Sequence, residues 1–503
     1  MTTPVQQKIR DKMITEQQLA SMIKSGDWIC NGACGSTAIA TEAALADRIG
    51  DGSDKVRDIE LWHYGNLPPS KCSVVDPEER YLMQHNGFFF PWARKQRDTY
   101  QSHDWIPWGW SIGTEAAYYR FWNQEKTKRG LDWAVLSTSR PEGGYFNYSY
   151  GTCESDMLAH MGKKVVLEVR EDFPWAEGGN WHQVNIDDVD YIIEVDCEKH
   201  QWPQLPPPKP TAVETKIAET CVELMEDGDC IQLGIGGLPS AVCVDIAKAG
   251  LKNIGIHTEM MQDGLVALVE SGSVNNRMKE IDRGRSAWAF AFPFNSKKYY
   301  DMIHHNHELA VYPVHYTNNW INISRISHMV AIDNFIAIDF TGQMSSGYFE
   351  NRPISGTGGF FQFIVGCSLS RGGRAIATAT STRKLRNGQV VSRIVPSLPT
   401  HTSIDVPGQL TSWVVTEYGK VNLWGCSMAE KTQKLISIAH PDFREDLERQ
   451  AREMGCLPKY FNFSMSARDD RYPEYKERRD FKVPYIGAAD GHVYAEDGSI
   501  FGK

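Results

Sequence analysis

The sequence contains the same local pattern twice, about 200 residues apart. SGDWICNGACGSTAIATEAALADRI (25–49) and DGDCIQLGIGGLPSAVCVDIAKAGL (227–251) both read Gly-Asp, a short apolar run, a glycine-rich turn and an apolar-periodic stretch. Five positions recur at a constant offset of 202: Gly26, Asp27, Ile29, Gly32 and Gly35 correspond to Gly228, Asp229, Ile231, Gly234 and Gly237. An internal duplication explains this better than chance, so the chain is expected to fold as two related units.

A proline-rich segment, WPQLPPPKPTAVETK (202–216), separates the two copies. Prolines at this density cannot lie in a helix or a central strand, and they favour an extended, semi-rigid linker. The chain of 503 residues is also too long for one ordinary core. The sequence therefore predicts an N-terminal domain at 1–205, a linker at 206–216, a C-terminal domain at 217–455 and a C-terminal extension at 456–503.

The fold class follows from the order and composition of these elements. KVVLEV (164–169) and YIIEV (191–195) are continuous apolar runs, which are typical of parallel strands buried on both faces. A strand, a turn and a helix in repeated order indicate the α/β class with two related open sheets.

Composition excludes several classes of protein. The net charge of -10 argues against a protein that binds nucleic acid through basic stripes. No run approaches the roughly 18 apolar residues that a membrane helix needs, and the N-terminus lacks the apolar segment of a secretory signal. Eleven cysteines at irregular spacings predict free thiols in a reducing compartment, so we expect a cytoplasmic protein that binds neither membrane nor metal.

One carboxylate stands at the end of a predicted strand. In NIGIHTEMMQDGL (253–265), Glu259 follows a short apolar run. The corresponding segment of the first half is DIELWHYG (58–65), which places Tyr64 at the equivalent position. The duplicated fold does not require a carboxylate there, so the pattern favours a functional role for Glu259.

Two glycine-rich turns and two aromatic stretches could serve a ligand. QLGIGGLPSAV (232–242) and PISGTGGFFQF (353–363) could each be a ligand loop or a tight structural turn, and neither is a dinucleotide fingerprint or a P-loop. NGFFFPWARK (86–95) and YQSHDWIPWGWSIG (100–113) could pack in the core or line an apolar pocket. The candidate pocket residues are Phe89, Trp105, Trp108 and Trp110.

Together these segments resemble the acetyl-CoA hydrolase/transferase branch of the family I CoA-transferases, from about residue 20 to about residue 455. The resemblance is carried by QLGIGGLPSAV, GIHTEMMQDGLVALVESG, NSKKYYDMI, PVHYTNN, SGTGGFFQF, SRIVPSL, VVTEYGKVNLWG and ISIAHPDFREDL, in the family order. It implies two domains of the CoA-transferase fold with the active site between them.

The resemblance also implies roles for single residues. Glu259 would be the nucleophile, Asn318 would hold its oxygens, and Gly358 or Gly359 would supply oxyanion-binding N–H groups. The implied CoA contacts are Gly234, Gly236, Gly237, Gly356, Phe360 and Gln362. The expected reaction is ping-pong transfer of CoA between carboxylic acids, through an acyl-glutamyl anhydride and a glutamyl-CoA thioester. No permanent cofactor is expected, and relatives are often homodimers or higher homo-oligomers.

The sequence departs from the family at GGFFQF, where relatives commonly read G-G-Q-x-D-F. Phe360 replaces the glutamine and Gln362 replaces the aspartate. With the tryptophan-rich stretch, this predicts a bulky, apolar, cyclic or aromatic acyl group. Two alternatives stay open at this point: a thioester hydrolase on the same scaffold, and an inactive CoA-binding module.

Overall fold

Two parallel sheets, one from each half of the chain, form the framework of the molecule. A computed structural model describes residues 3–50, 56–65, 70–111, 130–179, 181–202, 209–291 and 297–460, with two short strands beyond them. The strands of the first half are β1 (Trp28–Ala33), β2 (Ile59–Tyr64), β3 (Leu82–Asn86), β4 (Asp104–Trp105), β5 (Trp133–Thr138), β6 (Tyr145–Asn147), β7 (Lys164–Val169), β8 (Gln183–Asn185) and β9 (Tyr191–Glu194).

The second half contributes a larger set of strands. They are β10 (Cys230–Leu233), β11 (Gly255–Met260), β12 (Ser286–Phe290), β13 (Leu309–Val311), β14 (Met329–Asn334), β15 (Ala337–Asp339), β16 (Met344–Ser345), β17 (Arg374–Thr378), β18 (Thr382–Lys384), β19 (Val390–Ser392), β20 (Ile394–Val395), β21 (Trp413–Thr416) and β22 (Gly419–Asn422). The short strands near the C-terminus are β23 (Tyr485–Ile486) and β24 (Val493–Tyr494).

Helices alternate with the sheet strands. Those of the first half are α1 (Pro4–Asp11), α2 (Glu16–Met22), α3 (Ile39–Gly50), α4 (Lys71–Val75), α5 (Pro91–Tyr100) and α6 (Thr152–Met161). Those of the second half are α7 (Ala212–Val222), α8 (Gly237–Ala249), α9 (Asp263–Glu270), α10 (Lys297–Ile303), α11 (Val314–Thr317), α12 (Trp320–Ser324), α13 (Phe360–Leu369), α14 (Met428–Ser437) and α15 (Pro441–Glu453). This alternation is what a parallel sheet needs, because each crossover passes over a sheet face.

The two sheets share one strand order. The first runs β4-β3-β2-β1-β5-β7-β9 with parallel pairing throughout. The second runs β13-β12-β11-β10-β14-β17-β21, also parallel, and adds antiparallel β22 at its edge. The predicted α/β class with two related open sheets is therefore confirmed, and β2 is the topological counterpart of β11.

The C-terminal part of the predicted linker is helical. Thr211 caps α7 through a reciprocal capping box with Glu214, so the residues from 212 to 216 are helical. Residues 203–208, which hold most of the prolines, lie outside the described part of the chain, as does most of the extension at 456–503. The domain limits at 205, 217 and 455 stay predictions.

The halves meet through a buried cluster at the carboxyl ends of central strands. Tyr64 and Trp110 of the first half pack with Met260 and Phe290 of the second. The ring centroids of Tyr64 and Trp110 are 4.5 Å apart, and those of Trp110 and Phe290 are 5.0 Å apart. In open α/β sheets ligands bind beyond the carboxyl ends of the strands, so this contact lies where a site is expected.

Candidate active site

The Glu259 carboxyl is held by two hydrogen-bond donors. Glu259 is the penultimate residue of β11, and its Oε2 accepts from Nδ2 of Asn318 at 2.5 Å. The backbone N–H of Gly359 donates to the same carboxyl. Asn318 is fully buried, and its Oδ1 accepts from the Thr317 hydroxyl at 3.0 Å, which fixes the amide with its N–H group towards Glu259.

The surroundings of Glu259 favour its neutral form. Burial raises its pKa from 4.5 to about 8, and the nearby carboxyls of Asp333 and Glu154 act in the same direction. The hydrogen bonds from Asn318 and Gly359 oppose this rise. A carboxylate of such raised basicity in a site short of water is a stronger nucleophile than a solvated one.

Two glycines bring the backbone close to this carboxyl. A Cβ added at Gly359 would lie 2.3 Å from Oε2 of Glu259 and 2.5 Å from Nδ2 of Asn318. Gly358 has a positive φ of 53°, and a Cβ there would lie 3.7 Å from Oε1 of Glu259. Gly359 is also the N-cap of α13, a ten-residue helix, so the positive end of the helix dipole points towards Glu259.

Glu259 lines a cavity of about 330 Å³ between the two halves. One part of its wall is apolar and aromatic, formed by Phe88, Phe90, Trp110, Met260 and Phe290. Another part is polar and comes from the second half, formed by Gln232, Gly234, Asp333, Asn334 and Arg393. A cavity with an apolar part, a polar part and a reactive carboxyl suits a substrate whose two ends differ in polarity.

The structure brings seven of the predicted site residues to this cavity. They are Glu259, Gly234, Gly356, Gly358, Gly359, Phe360 and Trp110. Asn318 reaches the site through its hydrogen bond to Glu259.

The remaining predicted residues do not line the cavity as the structure describes it: Gly236, Gly237, Gln362, Phe89, Trp105 and Trp108. Gly237 packs on Pro210, and a Cβ there would lie 3.0 Å from the Pro210 Cα. Gln362 is fully buried with its side-chain amide against Gly109, so its predicted CoA contact is not seen.

Phe89, Trp105 and Trp108 do not line the cavity around Glu259, and their predicted role in acyl binding stays a prediction. Phe89 is a fully buried core residue, and its neighbours Phe88 and Phe90 reach the cavity instead. The Trp105 indole donates to the Ser355 carbonyl at 3.1 Å. A run of three phenylalanines predicts apolar bulk but not which ring faces the ligand.

The tryptophan segment instead supports the loop that carries Gly358. The Trp108 carbonyl accepts from the Thr357 hydroxyl. The backbone N–H of Trp110 donates to the Gly358 carbonyl at 3.0 Å. Since loop 354–359 brings its backbone close to Glu259, contacts from the first half of the chain hold this loop of the second half in position.

Sequence reasoning missed several cavity residues. Asp333 is the penultimate residue of β14, next to Asn334, and burial raises its pKa to about 7. Arg393 also lines the cavity, and burial lowers its pKa to about 10. Polar residues at the ends of apolar runs, such as CIQLG and MVAIDN, are the sequence pattern that could have identified these cavity residues.

Replacing Asn318 by Leu is expected to move the pH dependence of the reaction. The hydrogen bond from Asn318 lowers the pKa of Glu259, so its loss raises that pKa further. For a reaction that uses Glu259 as the carboxylate, the rising limb of kcat/KM against pH should shift to higher pH, and activity at pH 7 should fall by about 100-fold. Thr317→Val, which only loosens the Asn318 side chain, should shift the limb less. An unchanged limb in Asn318→Leu would contradict this role.

Within the described ranges, no helix is long and apolar enough to cross a bilayer.

Comparison with known proteins places the chain in a family. Residues 3–200 match the N-terminal domain of acetyl-CoA hydrolase/transferase, and residues 296–451 match its C-terminal domain. The butyryl-CoA:acetate CoA-transferase of Anaerostipes caccae is 32% identical over 89% of this chain and 97% of its own length. The succinyl-CoA:cyclohexane-1-carboxylate CoA transferase of Geobacter metallireducens is 38% identical over 63% of this chain and 70% of its own length.

A solved structure agrees with these sequence matches. The crystal structure of RipA from Yersinia pestis superposes with a TM-score of 0.80 at 26% identity, covering 90% of this chain and all of that one. Sequence motifs, strand order and the arrangement around Glu259 lead to the same conclusion: the chain belongs to the acetyl-CoA hydrolase/transferase family and is a CoA-transferase enzyme.

Proposed function

We propose that the protein transfers CoA between carboxylic acids by a ping-pong reaction in which Glu259 is the covalent nucleophile. The observation that carries this proposal is the geometry of one carboxyl. Glu259 faces the cavity, and the Asn318 amide and the Gly359 backbone N–H both donate to it. Donors held at that position stabilise the charge that develops during acyl transfer.

The chemistry balances without a redox partner. A Glu259 oxygen attacks the thioester carbon, the C–S bond breaks, and CoA leaves as the thiolate. The thiolate then attacks the glutamyl carbonyl and releases the first acid as a carboxylate, which leaves a glutamyl thioester of CoA. A second carboxylate reverses both steps and leaves as the new acyl-CoA, so one difficult exchange becomes several easier ones.

The aromatic wall supports a bulky or cyclic acyl group. Phe88 and Phe90 have ring centroids 5.2 Å apart, and Trp110 stacks on Tyr64 and lies tilted against Phe290. Aromatic rings bind apolar rings through large buried area and offset stacking. A relative named for cyclohexane-1-carboxylate adds support for an alicyclic acid.

The proposal is tested by trapping the intermediate. Incubation with an acyl-CoA alone, followed by borohydride reduction and trypsin digestion, should change the mass of the peptide from 253 to 277, which contains Glu259. Release of CoA without an acceptor acid would identify a hydrolase instead. Binding without an adduct or turnover would identify an inactive module.

A panel of acceptor acids tests the acyl preference. Cyclohexanecarboxylate and benzoate are expected to exceed acetate in kcat/KM by at least about tenfold, because each adds several buried CH₂-sized groups. Equal turnover of acetate and the ring acids would contradict the bulky-acyl proposal while leaving the transferase proposal intact.

The state of the cysteines supports the proposed cytoplasmic location. All eleven are free thiols in the structure, and eight of them are buried. Free thiols persist in reducing compartments, which supports a cytoplasmic enzyme. Assembly as a homodimer or a higher homo-oligomer stays a prediction.

A further inference from the structure

Two buried side chains in the polar part of the cavity carry unused acceptor oxygens. Asp333 is 8% exposed and Gln232 is 3% exposed. Nε2 of Gln232 donates to Oδ1 of Asp333 at 3.2 Å, which ties the two groups together. Oδ2 of Asp333 and Oε1 of Gln232 have no hydrogen-bond partner among the described residues.

Acceptors left unpaired in a buried site are costly unless a ligand satisfies them. Both residues line the same cavity as Glu259, on the ends of the neighbouring strands β10 and β14. Both oxygens are therefore available to a hydrogen-bond donor that enters this cavity with the substrate.

The position of Asp333 and Gln232, called the Asp333–Gln232 pair below, indicates which part of the substrate they contact. Asp333 lines the same cavity as Glu259, and its charge raises the pKa of Glu259. The aromatic part of the wall is suited to the acyl group, which leaves the polar part for the other substituent of the thioester. In CoA that substituent is cysteamine, whose amide N–H stands two methylene groups from the sulfur.

We propose that Oδ2 of Asp333 and Oε1 of Gln232 accept the cysteamine amide N–H of the CoA arm and so place the thioester over Glu259. This inference rests on the proposed CoA transfer and adds to it a recognition site for a secondary amide. A free carboxylic acid has no such N–H, so the pair discriminates the thioester from its acid. Gly234 makes room beside the pair, because a Cβ there would lie 3.3 Å from Oδ1 of Asp333.

A pair of small thioesters tests the proposal. S-Butanoyl-N-acetylcysteamine contains the amide N–H, and S-butanoyl-2-mercaptoethyl acetate replaces that N–H with an ester oxygen. Exchange of deuterated butanoate into each thioester, followed by mass spectrometry, gives kcat/KM for both. The wild-type protein should prefer the amide by at least about tenfold, the effect of one hydrogen bond to a charged or buried acceptor.

Asp333→Asn should remove this preference. The asparagine oxygen would still accept the hydrogen bond from Gln232, so its NH₂ group would take the place of Oδ2 and could not accept the N–H of the substrate. Gln232→Met, which deletes the second acceptor, should reduce it as well. With butanoyl-CoA, both variants should raise KM for the thioester by about tenfold and leave KM for butanoate unchanged.

Glu154→Gln is the matched control. Glu154 is another buried carboxyl whose charge raises the pKa of Glu259, but it does not line the substrate cavity in the described structure. This variant should keep the wild-type preference for the amide. Equal use of the two thioesters by the wild-type protein, or an unchanged preference in Asp333→Asn, would overturn the inference. Absence of exchange with both butanoyl-CoA and cyclohexanecarbonyl-CoA, together with no trapped adduct, would instead overturn the proposed function on which it rests.

Discussion

Replacing Glu259 by Gln is expected to lower CoA transfer by at least about 10⁴-fold, because the amide cannot form the anhydride or the thioester intermediate. The substitution preserves side-chain size and leaves the cavity lining in place. The measurement is the exchange of labelled acid into acyl-CoA, with the mass of the peptide from 253 to 277 as the second readout. Transfer at more than a tenth of the wild-type rate would remove Glu259 from the chemistry.

The same variant should be more stable than the wild-type protein at neutral pH. Folding raises the pKa of Glu259 from 4.5 to about 8, so the folded chain holds a proton that the unfolded chain releases above pH 4.5. Wild-type stability is therefore lost as pH rises from about 4.5 to about 8, whereas Gln has no proton to lose. We expect a gain on the order of 2 kcal/mol at pH 7.5.

Urea unfolding at pH 5 and pH 7.5 measures this gain, which should be small at pH 5. Glu154→Gln is the control, because burial also raises the pKa of Glu154, to about 7. It should stabilise the fold with the same sign while lowering transfer by less than about tenfold. Residues that serve activity often lower the free energy of unfolding, and the expected gain in stability of Glu259→Gln would be an example.

The duplicated fold could be predicted because its signal is local and occurs twice. The apolar run at 230–233 followed by a glycine turn predicts a buried strand and a helix, and β10 and α8 match this reading. The repeat also pairs Tyr64 with Glu259, and the strand register agrees, because Ile29 pairs with Leu61 in the first sheet as Ile231 pairs with Ile256 in the second. The sequence could not show that the two strand ends face each other across the cluster around Trp110, since that contact depends on how the sheets pack.

The contacts of residues that act through their backbone, or with partners far away in the sequence, are harder to predict. Trp105 and Trp108 were expected in the acyl pocket because bulky rings suggest apolar area. Trp105 instead uses its indole N–H, and Trp108 uses its carbonyl, to hold loop 354–359. Side-chain direction in a Pro- and Gly-broken segment follows no period, so only the folded chain assigns these contacts.

Asp333 illustrates the opposite case, in which a signal was present but weak. A carboxylate at the end of the run MVAID resembles Glu259 at the end of its own strand. The resemblance to a family had already assigned the chemistry to one carboxylate. The pairing of Asp333 with Gln232 is a contact between residues 101 positions apart, which no local pattern contains.

Replacing Gly359 by Ala is expected to reduce kcat by about 10²- to 10³-fold through a single methyl group. Gly359 has φ of -92° and ψ of 6°, a conformation open to alanine, so backbone strain does not contribute. The added Cβ would lie 2.3 Å from Oε2 of Glu259 and 2.5 Å from Nδ2 of Asn318. The carboxyl must therefore leave the position where both donors reach it.

Gly366→Ala is the matched control for this collision. Gly366 lies in the same helix, α13, and a Cβ there would lie 2.4 Å from Cγ2 of Ile323. Both variants introduce one equally crowded methyl group, so both should lower the midpoint of thermal unfolding. Only Gly359→Ala should also abolish the trapped adduct on the peptide that holds Glu259. If the two variants lose kcat in proportion to their loss of stability, the close approach of Gly359 to Glu259 has no catalytic role, and the donor geometry proposed for this site is wrong.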